Sequence, residues 1–183
     1  MQIISVIDHA SFGDSWPEIV RLSAEFADML WFRIKNLPDD ELMKECERFR
    51  KLTDVPALLS ARADIADKLG FYGVQLGAST ESPESVKAKY PKLVTGYSAH
   101  SMDEIKKVEA DRYTLSPLFM TKKDYEVRPL GVPDVSGLDK KIFGLGGISL
   151  SNVGQLRGKG YAGIAGIGFY KELEAIKAAV SSF

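Results

Sequence analysis

The stretch Lys141–Ser149, with the sequence KIFGLGGIS, is a short apolar run that ends in paired glycines and a serine. An apolar run of this length bounded by glycine is typical of a buried β-strand. Gly146 and Gly147 have no Cβ, so they can adopt positive φ angles and let a ligand approach the backbone closely. Ser149 is a good helix cap, and the free amides of a helix N-terminus attract anions. The stretch therefore predicts either a tight strand-to-helix turn or a phosphate site at the end of a strand.

The same strand-and-helix unit recurs along the whole chain. Helix starts are indicated by Ser82-Pro83, a cap followed by a first-turn proline, and by Ser101 with Glu104, a capping box. Uniform alternation of strands and helices implies a parallel sheet, and eight units with about as many helices fit a compact (β/α)₈ TIM barrel. We therefore expect an α/β fold with one domain over residues 1–183. The predicted strands lie near residues 3–7, 29–32, 57–59, 73–76, 93–96, 113–115, 142–145 and 163–167.

An open, doubly wound sheet is the alternative fold. No Gly-x-Gly-x-x-Gly turn follows the first predicted strand, which weighs against that alternative. Phe119–Lys140 is the only long irregular segment, and a loop of that length in a compact domain is usually functional or disordered. Because it follows the sixth strand, we expect it to be an active-site lid.

Composition excludes several classes of protein. The net charge is −1, so no global basic field would draw the chain to nucleic acid or to a membrane surface. Cys46 is the single cysteine, which excludes a disulfide framework and a cysteine zinc site. No apolar run approaches the ~20 residues of a membrane span, and the first residues do not resemble a signal peptide. We expect a cytoplasmic protein whose partner is a small molecule.

Polar side chains follow most of the predicted strands, where a barrel carries its active site. His9 and His100 follow strands one and five, and histidine is the side chain best suited to proton transfer near neutral pH. Arg33 and Lys35 have strand spacing, so both cations would point to one face and suit an anionic substrate. No pair of carboxylates indicates a metal site, although Asp8 and Asp64 are candidates. The other polar positions in this pattern are Ser60, Arg62, Gln75, Ser98, Ser116, Thr121, Lys122 and Lys123.

Six short motifs follow one another along the chain and begin at Arg33 (RIK), Arg62 (RADIA), Gly73 (GVQLG), Gly96 (GYSAHS), Ser116 (SPLFMT) and Gly146 (GGI). In this order they resemble the thiamine phosphate synthase/TenI superfamily across nearly the whole chain. That family has a (β/α)₈ barrel, in agreement with the strand count. Its synthases join a pyrimidine diphosphate to a thiazole phosphate, release pyrophosphate and use Mg²⁺; its TenI branch aromatises a thiazole phosphate tautomer by proton transfer.

The resemblance assigns roles to individual residues. Arg33 and Lys35 look like the diphosphate-binding pair of the synthases, and Ser98 and Thr121 match positions that hold substrate or diphosphate oxygens. The family lysine that follows this threonine is offset here, so that either Lys122 or Lys123 matches it. The thiazole phosphate seat of the family falls on four glycines of this chain: Gly146, Gly147, Gly166 and Gly168.

Departures from the family pattern separate its branches. The synthases carry Asn-Asp where this chain has Ser60-Ala61, and their second metal carboxylate corresponds to Thr80 here. Mg²⁺ usually needs one or two carboxylates, so we expect no metal and no cofactor, unless the synthase interpretation holds and brings Mg²⁺. The TenI histidine follows strand six, where this chain has Ser116. We therefore expect His100 to be the substitute base, assisted by Ser98, with His9 as the second candidate.

The sequence favours a TenI-like barrel enzyme that binds a thiazole phosphate or a similar heterocyclic phosphate and moves a proton on it. The phosphate would lie on the glycine turns, with Lys35 and Lys123 adding positive charge. Two alternatives stay open: a divergent thiamine phosphate synthase, and a non-catalytic phosphate-binding regulatory protein. Relatives in the family are often homodimers, but no dimer face can be identified from the sequence.

Overall fold

A computed structural model of the chain describes residues 1–121 and 128–183. Eight parallel strands pair in sequence order, and β8 pairs back onto β1, so the sheet closes into a barrel. The predicted (β/α)₈ architecture is therefore confirmed, and the open doubly wound sheet is excluded. The strands are β1 Gln2–Asp8, β2 Met29–Arg33, β3 Ala57–Ser60, β4 Gly73–Leu76, β5 Val94–Ala99, β6 Arg112–Leu115, β7 Ile142–Leu145 and β8 Gly163–Gly166.

Each strand is buried on both faces, which explains its nearly continuous apolar sequence. One face of each strand points into the barrel, where Val6, Trp31 and Phe143 belong to one small apolar cluster. The other face packs against the helices, as Phe32 does by stacking on Phe49 with 4.5 Å between the ring centroids. Because side chains alternate along a strand, the inner face is defined by these residues and continues to the strand ends.

The helices agree with the sequence pattern in the first two thirds of the chain. Ser82 Oγ accepts a hydrogen bond from Ser85 N at 3.2 Å, and Ser101 Oγ accepts one from Glu104 N at 3.2 Å, as the cap signals predict. The helices are α1 His9–Phe12, α2 Trp16–Ala24, α3 Asp39–Arg50, α4 Ala63–Lys68, α5 Pro83–Lys89, α6 Met102–Lys107 and α7 Leu173–Val180.

The last third of the chain departs from regular alternation. Between β6 and β7 the described residues form no helix, and between β7 and β8 there is only a 3₁₀ turn, Val153–Leu156. The seven α-helices of the described residues come close to the expected number of about eight, but the expected helix start at Ser149 is wrong. Ser149 N instead donates a hydrogen bond to Asn152 Oδ1 at 2.9 Å, which closes a short turn.

Part of the segment that was expected to be a lid packs against the outside of the barrel. Val135 is 1% exposed, and its amide donates to Lys159 O at 2.8 Å. Ser136 lies so close to Gly160 that a Cβ there would meet its backbone. This portion of the loop covers the outside of the barrel where a helix is missing. Residues 122–127 of the expected lid lie outside the described residues, so the lid stays a prediction there.

Carboxylates tie the strands together at their N-terminal ends. Asp28 Oδ2 accepts a hydrogen bond from Ile3 N at 2.7 Å, and Asp111 Oδ2 accepts one from Thr95 N at 2.7 Å. Lys87 Nζ lies 2.9 Å from the same Asp111 oxygen. Although partial burial opposes it, hydrogen bonding by Thr95 and Lys87 holds the pKa of Asp111 below its usual value. These contacts stabilise the end of the barrel opposite the candidate site.

Candidate active site

The inner faces of six strands carry polar side chains toward the C-terminal mouth of the barrel. Their positions follow from the alternation that places Val6, Trp31 and Phe143 inside. These residues come from sequence positions far apart, and the closed barrel brings them to one end. They are Asp8, Arg33, Ser60, Gln75, Ser98, Thr114 and Ser116.

Asp8 and Arg33 form an ion pair across β1 and β2. Their Cα atoms are register partners, and Arg33 Nη1 donates to Asp8 Oδ1. The Asp8 side chain is 7% exposed and also accepts a hydrogen bond from Ser11 Oγ. Arg33 is therefore already neutralised by a buried carboxylate. Lys35 lies beyond the end of β2 and is exposed, so the predicted pair of cations is not equivalent in the structure.

The positions that hold metal carboxylates in the synthases do not fit Mg²⁺ here. Ser60 Oγ accepts a hydrogen bond from Trp31 Nε1 at 2.9 Å. Ala61 offers no ligand, and Thr80 Oγ1 is engaged by Gly77 N at 3.0 Å and Gly77 O at 2.9 Å. Among residues 1–121 and 128–183, no three His, Cys, Asp or Glu side chains come together as a metal site.

The second acidic candidate is also accounted for. Asp64 Oδ2 pairs with Arg62 Nη2 at 2.8 Å on the outside of the barrel. The hydrogen bond from Arg62 holds the pKa of Asp64 below its usual value. Asp64 is therefore a surface ion-pair residue at the start of α4.

Gln75 connects three strands at the centre of the mouth. Its Nε2 donates to Ser98 Oγ on β5 at 3.0 Å and lies 3.4 Å from Thr114 Oγ1 on β6. Gln75 is 3% exposed and Thr114 is 2% exposed, so these contacts are shielded from water. Thr114 was missed in the sequence, although its spacing of two from Ser116 on a strand would have indicated it.

His100 lies at the top of β5 against the end of β6. Its Nδ1 lies 2.9 Å from Ser116 O, and because a carbonyl oxygen only accepts, Nδ1 carries the hydrogen. In the neutral ring Nε2 then holds a lone pair, and it makes no hydrogen bond to the described residues. Glu104 Oε2 accepts from His100 N at 3.1 Å, which fixes the backbone at this point. The arrangement suits a general base exposed to the mouth.

His9 occupies a different environment. Its ring centroid lies 6.3 Å from those of Trp16 and Phe32, and Phe32 belongs to the outer layer of the barrel. His9 Nε2 also lies 3.7 Å from Glu45 Oε2 on α3. His9 therefore faces the helix layer, and the structure separates it from the mouth.

The glycines of the predicted phosphate seat have structural causes of their own. Gly146 and Gly147 have φ angles of 93° and 68°, a conformation that side chains with a Cβ rarely adopt. A Cβ at Gly146 would lie 2.8 Å from Pro117 Cα, and a Cβ at Gly147 would lie 2.5 Å from Met120 O. The segment after β6 therefore fills the space beside these glycines.

The other two glycines differ from each other. A Cβ at Gly166 would lie 2.5 Å from Phe169 Cδ1, whereas nothing lies within 4 Å of a Cβ at Gly168. The amides of Gly147, Ile148 and Gly168 donate to no acceptor among the described residues. The turns after β7 and β8 thus offer free amides, although no α-helix begins directly after either turn.

The segment after β6 contributes one further polar atom. Thr121 Oγ1 is buried and has no hydrogen-bond partner among residues 1–121 and 128–183. Lys122 and Lys123 lie outside the described residues, so the expected role of the loop lysine stays a prediction.

No helix in the described part of the chain is long and apolar enough to cross a membrane.

Comparison with known proteins agrees with the barrel fold. The sequence profile described as "Thiamine monophosphate synthase" (TMP-TENI) matches residues 4–169. A "Putative thiamine-phosphate synthase 2" of Aquifex aeolicus is 31% identical over 93% of this chain and 98% of its own length. A "Thiamine phosphate pyrophosphorylase" structure from Pyrococcus furiosus superposes with a TM-score of 0.83 at 26% identity, covering 98% of this chain and 96% of that one. The chain therefore belongs to the thiamine phosphate synthase/TenI family of thiamine biosynthesis.

Proposed function

We propose that this protein is a metal-independent tautomerase that aromatises a thiazole phosphate or a similar heterocyclic phosphate. The observation that carries the proposal is the contact between His100 Nδ1 and Ser116 O, which leaves Nε2 of the neutral ring as a proton acceptor at the mouth. The TenI branch, as the sequence resemblance describes it, carries its histidine after β6. Here a histidine from β5 lies against that same strand end.

Aromatisation by tautomerisation only relocates a proton. His100 Nε2 takes a proton from one atom of the heterocycle, and the resulting imidazolium returns it to another, so no atom is gained or lost. The Ser116 carbonyl accepts a hydrogen bond from Nδ1 in both protonation states and so holds the ring in place. Ser98 lies on β5 two residues before His100, is half-buried and can donate to the heterocycle.

The phosphate would be held by the free amides of Gly147, Ile148 and Gly168, with Lys35 adding positive charge. The pairing of Arg33 with Asp8 supports a monophosphate over a diphosphate, because it removes one cation from the mouth. The lack of carboxylates at Ala61 and Thr80 also supports a ligand without a bound metal.

The test is the rate at which the purified protein aromatises the thiazole phosphate tautomer in buffer that contains EDTA. We expect acceleration over buffer that EDTA does not reduce. A folded protein that gives no acceleration would rule out the proposal.

A divergent synthase is the second candidate, and the relatives favour it. Both the A. aeolicus relative and the P. furiosus structure carry synthase names. The discriminating assay is Mg²⁺-dependent pyrophosphate release from a pyrimidine diphosphate and a thiazole phosphate. Release that requires both substrates would replace the tautomerase proposal. If thiazole phosphate binds but neither assay shows turnover, the protein is a non-catalytic phosphate-binding member of the family.

A further inference from the structure

Gln75 is the most enclosed polar side chain at the mouth that contacts two other candidate residues. It extends from β4, is 3% exposed, and its Nε2 approaches hydroxyl groups on both β5 and β6. A buried carboxamide must satisfy its two N–H groups, and Ser98 Oγ and Thr114 Oγ1 are the two acceptors that it reaches.

The fit of Gln75 depends on a glycine. A Cβ at Gly96 would lie 2.9 Å from Gln75 Cδ and closer still to Oε1. The carboxamide therefore lies against Gly96 with its oxygen nearest, and Nε2 points away toward β5 and β6. Oε1 faces Gly96 and Nε2 faces the hydroxyls, because the reverse orientation would press two N–H groups against a carbon.

The direction of this hydrogen bond determines what Ser98 can do. A serine hydroxyl that accepts from Gln75 keeps its own hydrogen for another partner. Ser98 is half-buried, whereas Gln75 lies beneath it, so the free hydrogen has the mouth as its open side. A hydrogen-bond donor at this point suits an anionic or carbonyl-type ligand atom.

We propose that Gln75 is a positioning residue that makes Ser98 a hydrogen-bond donor into the barrel mouth. The role of that donor toward a heterocyclic phosphate rests on the proposed function. The direction of the Gln75–Ser98 hydrogen bond does not depend on the proposed function, and it is measured without any ligand.

The experiment places a thiol at the serine position as a probe. Ser98→Cys leaves a sulfur in front of Gln75 Nε2, and a hydrogen bond donated to sulfur favours the thiolate and lowers the thiol pKa. The native protein gives a clean background, because Cys46 is 0% exposed and burial raises its pKa to about 12. The thiol pKa is read from the rate of iodoacetamide alkylation across a pH series, since thiol nucleophilicity itself changes with pKa.

Three variants are compared in the Ser98→Cys background. We expect Gln75→Met to raise the thiol pKa by about one unit, which slows alkylation below the pKa about threefold to fourfold because the thiolate fraction falls while its nucleophilicity rises. Gln75→Glu should raise the thiol pKa further through a like charge. Thr114→Val is the matched control, because it changes the other contact of Nε2 and leaves the probe with its donor. It should leave the thiol pKa unchanged. Thermal melting of each variant verifies that it is folded.

The same thiol pKa with Gln75, with Met and with Glu in folded protein would overturn the inference. Should Gln75→Glu fail to fold, the comparison with Gln75→Met decides alone, because Met removes the donor without adding charge. Failure of the proposed function is separable from this result. If the wild-type protein has no aromatising activity, the thiol measurement on the Ser98→Cys variants is still valid. If the wild-type protein is active but the thiol pKa does not respond to changes at Gln75, only the role of Gln75 is refuted.

Discussion

Asp8→Asn should weaken the fold and strengthen diphosphate binding at the same time. The Asp8 carboxylate is 7% exposed and is the partner of Arg33 in the described structure. Breaking a buried ion pair costs about 3–5 kcal/mol. Arg33 is 32% exposed, so water recovers part of that loss, and we expect destabilisation of about 1–2 kcal/mol. For a chain of 183 residues this corresponds to a fall in Tm of about 2–8 °C.

The released arginine should then bind anions. One charge-assisted hydrogen bond is worth about 1.5–3 kcal/mol, so we expect inorganic pyrophosphate to bind about 10- to 150-fold more tightly to Asp8→Asn. Calorimetric unfolding and isothermal titration with pyrophosphate measure the two effects on the same samples. Orthophosphate, with less charge to neutralise, should gain less.

Asp39→Asn is the control for net charge. Asp39 also pairs with an arginine, since its Oδ1 lies 2.5 Å from Arg62 Nη1, but it is 79% exposed and lies outside the barrel. It should change neither pyrophosphate affinity nor Tm appreciably. Equal gains in pyrophosphate affinity from both variants would show an effect of overall charge, and an unchanged affinity in Asp8→Asn would refute the restraint of Arg33.

Three further predictions concern packing, pH and thiol access. Gly166→Ala should lower the free energy of unfolding in urea by about 1–3 kcal/mol, because the new Cβ meets the ring of Phe169. Gly168→Ala, which has open space around its Cβ, should be far milder, and equal effects of the two variants would contradict this. Asp111→Asn should destabilise the protein at pH 7 but progressively less below about pH 4. A carboxylate whose pKa is lowered in the folded state stabilises the fold above its unfolded-state pKa and loses that effect as the pH falls through its folded-state pKa; a destabilisation independent of pH would contradict this. Cys46, buried with a pKa of about 12, should react with a thiol reagent only at the rate of unfolding, and rapid labelling of native protein would refute that burial.

The fold was accessible from the sequence because burial on both faces makes each barrel strand an apolar run. The helices after β6 and β7 were overestimated, because the loop that carries Val135 fills the space of a missing helix. A sequence pattern does not show which long loop will pack as a wall. The paired glycines illustrate the same limit. From the sequence, Gly146 and Gly147 predicted either a tight turn or a phosphate site, and the structure shows that contacts with Pro117 and Met120 require glycine at both positions.

The sequence identified those candidate site residues whose position at the end of a strand alone indicates a role. Arg33, Ser98 and His100 were identified because polar residues at strand ends stand out against the apolar runs. Their partners were less accessible, because pairing depends on register. The contact of His100 with Ser116 joins neighbouring strand ends 16 residues apart, and the pairing of Arg33 with Asp8 spans 25. These contacts determine which side chain is free to act.

The central claim is that His100 is the proton-transferring base, and its most direct test is the rate of thiazole phosphate aromatisation by His100→Gln. Acid–base catalysis by one side chain contributes about 10²–10⁴-fold, so we expect kcat to fall at least about 100-fold in folded protein. His9→Gln, which changes the other histidine of the chain, should leave the rate within about twofold, because that ring lies in the helix layer outside the mouth. Unchanged kcat in His100→Gln, or an equal loss in His9→Gln, would contradict the account.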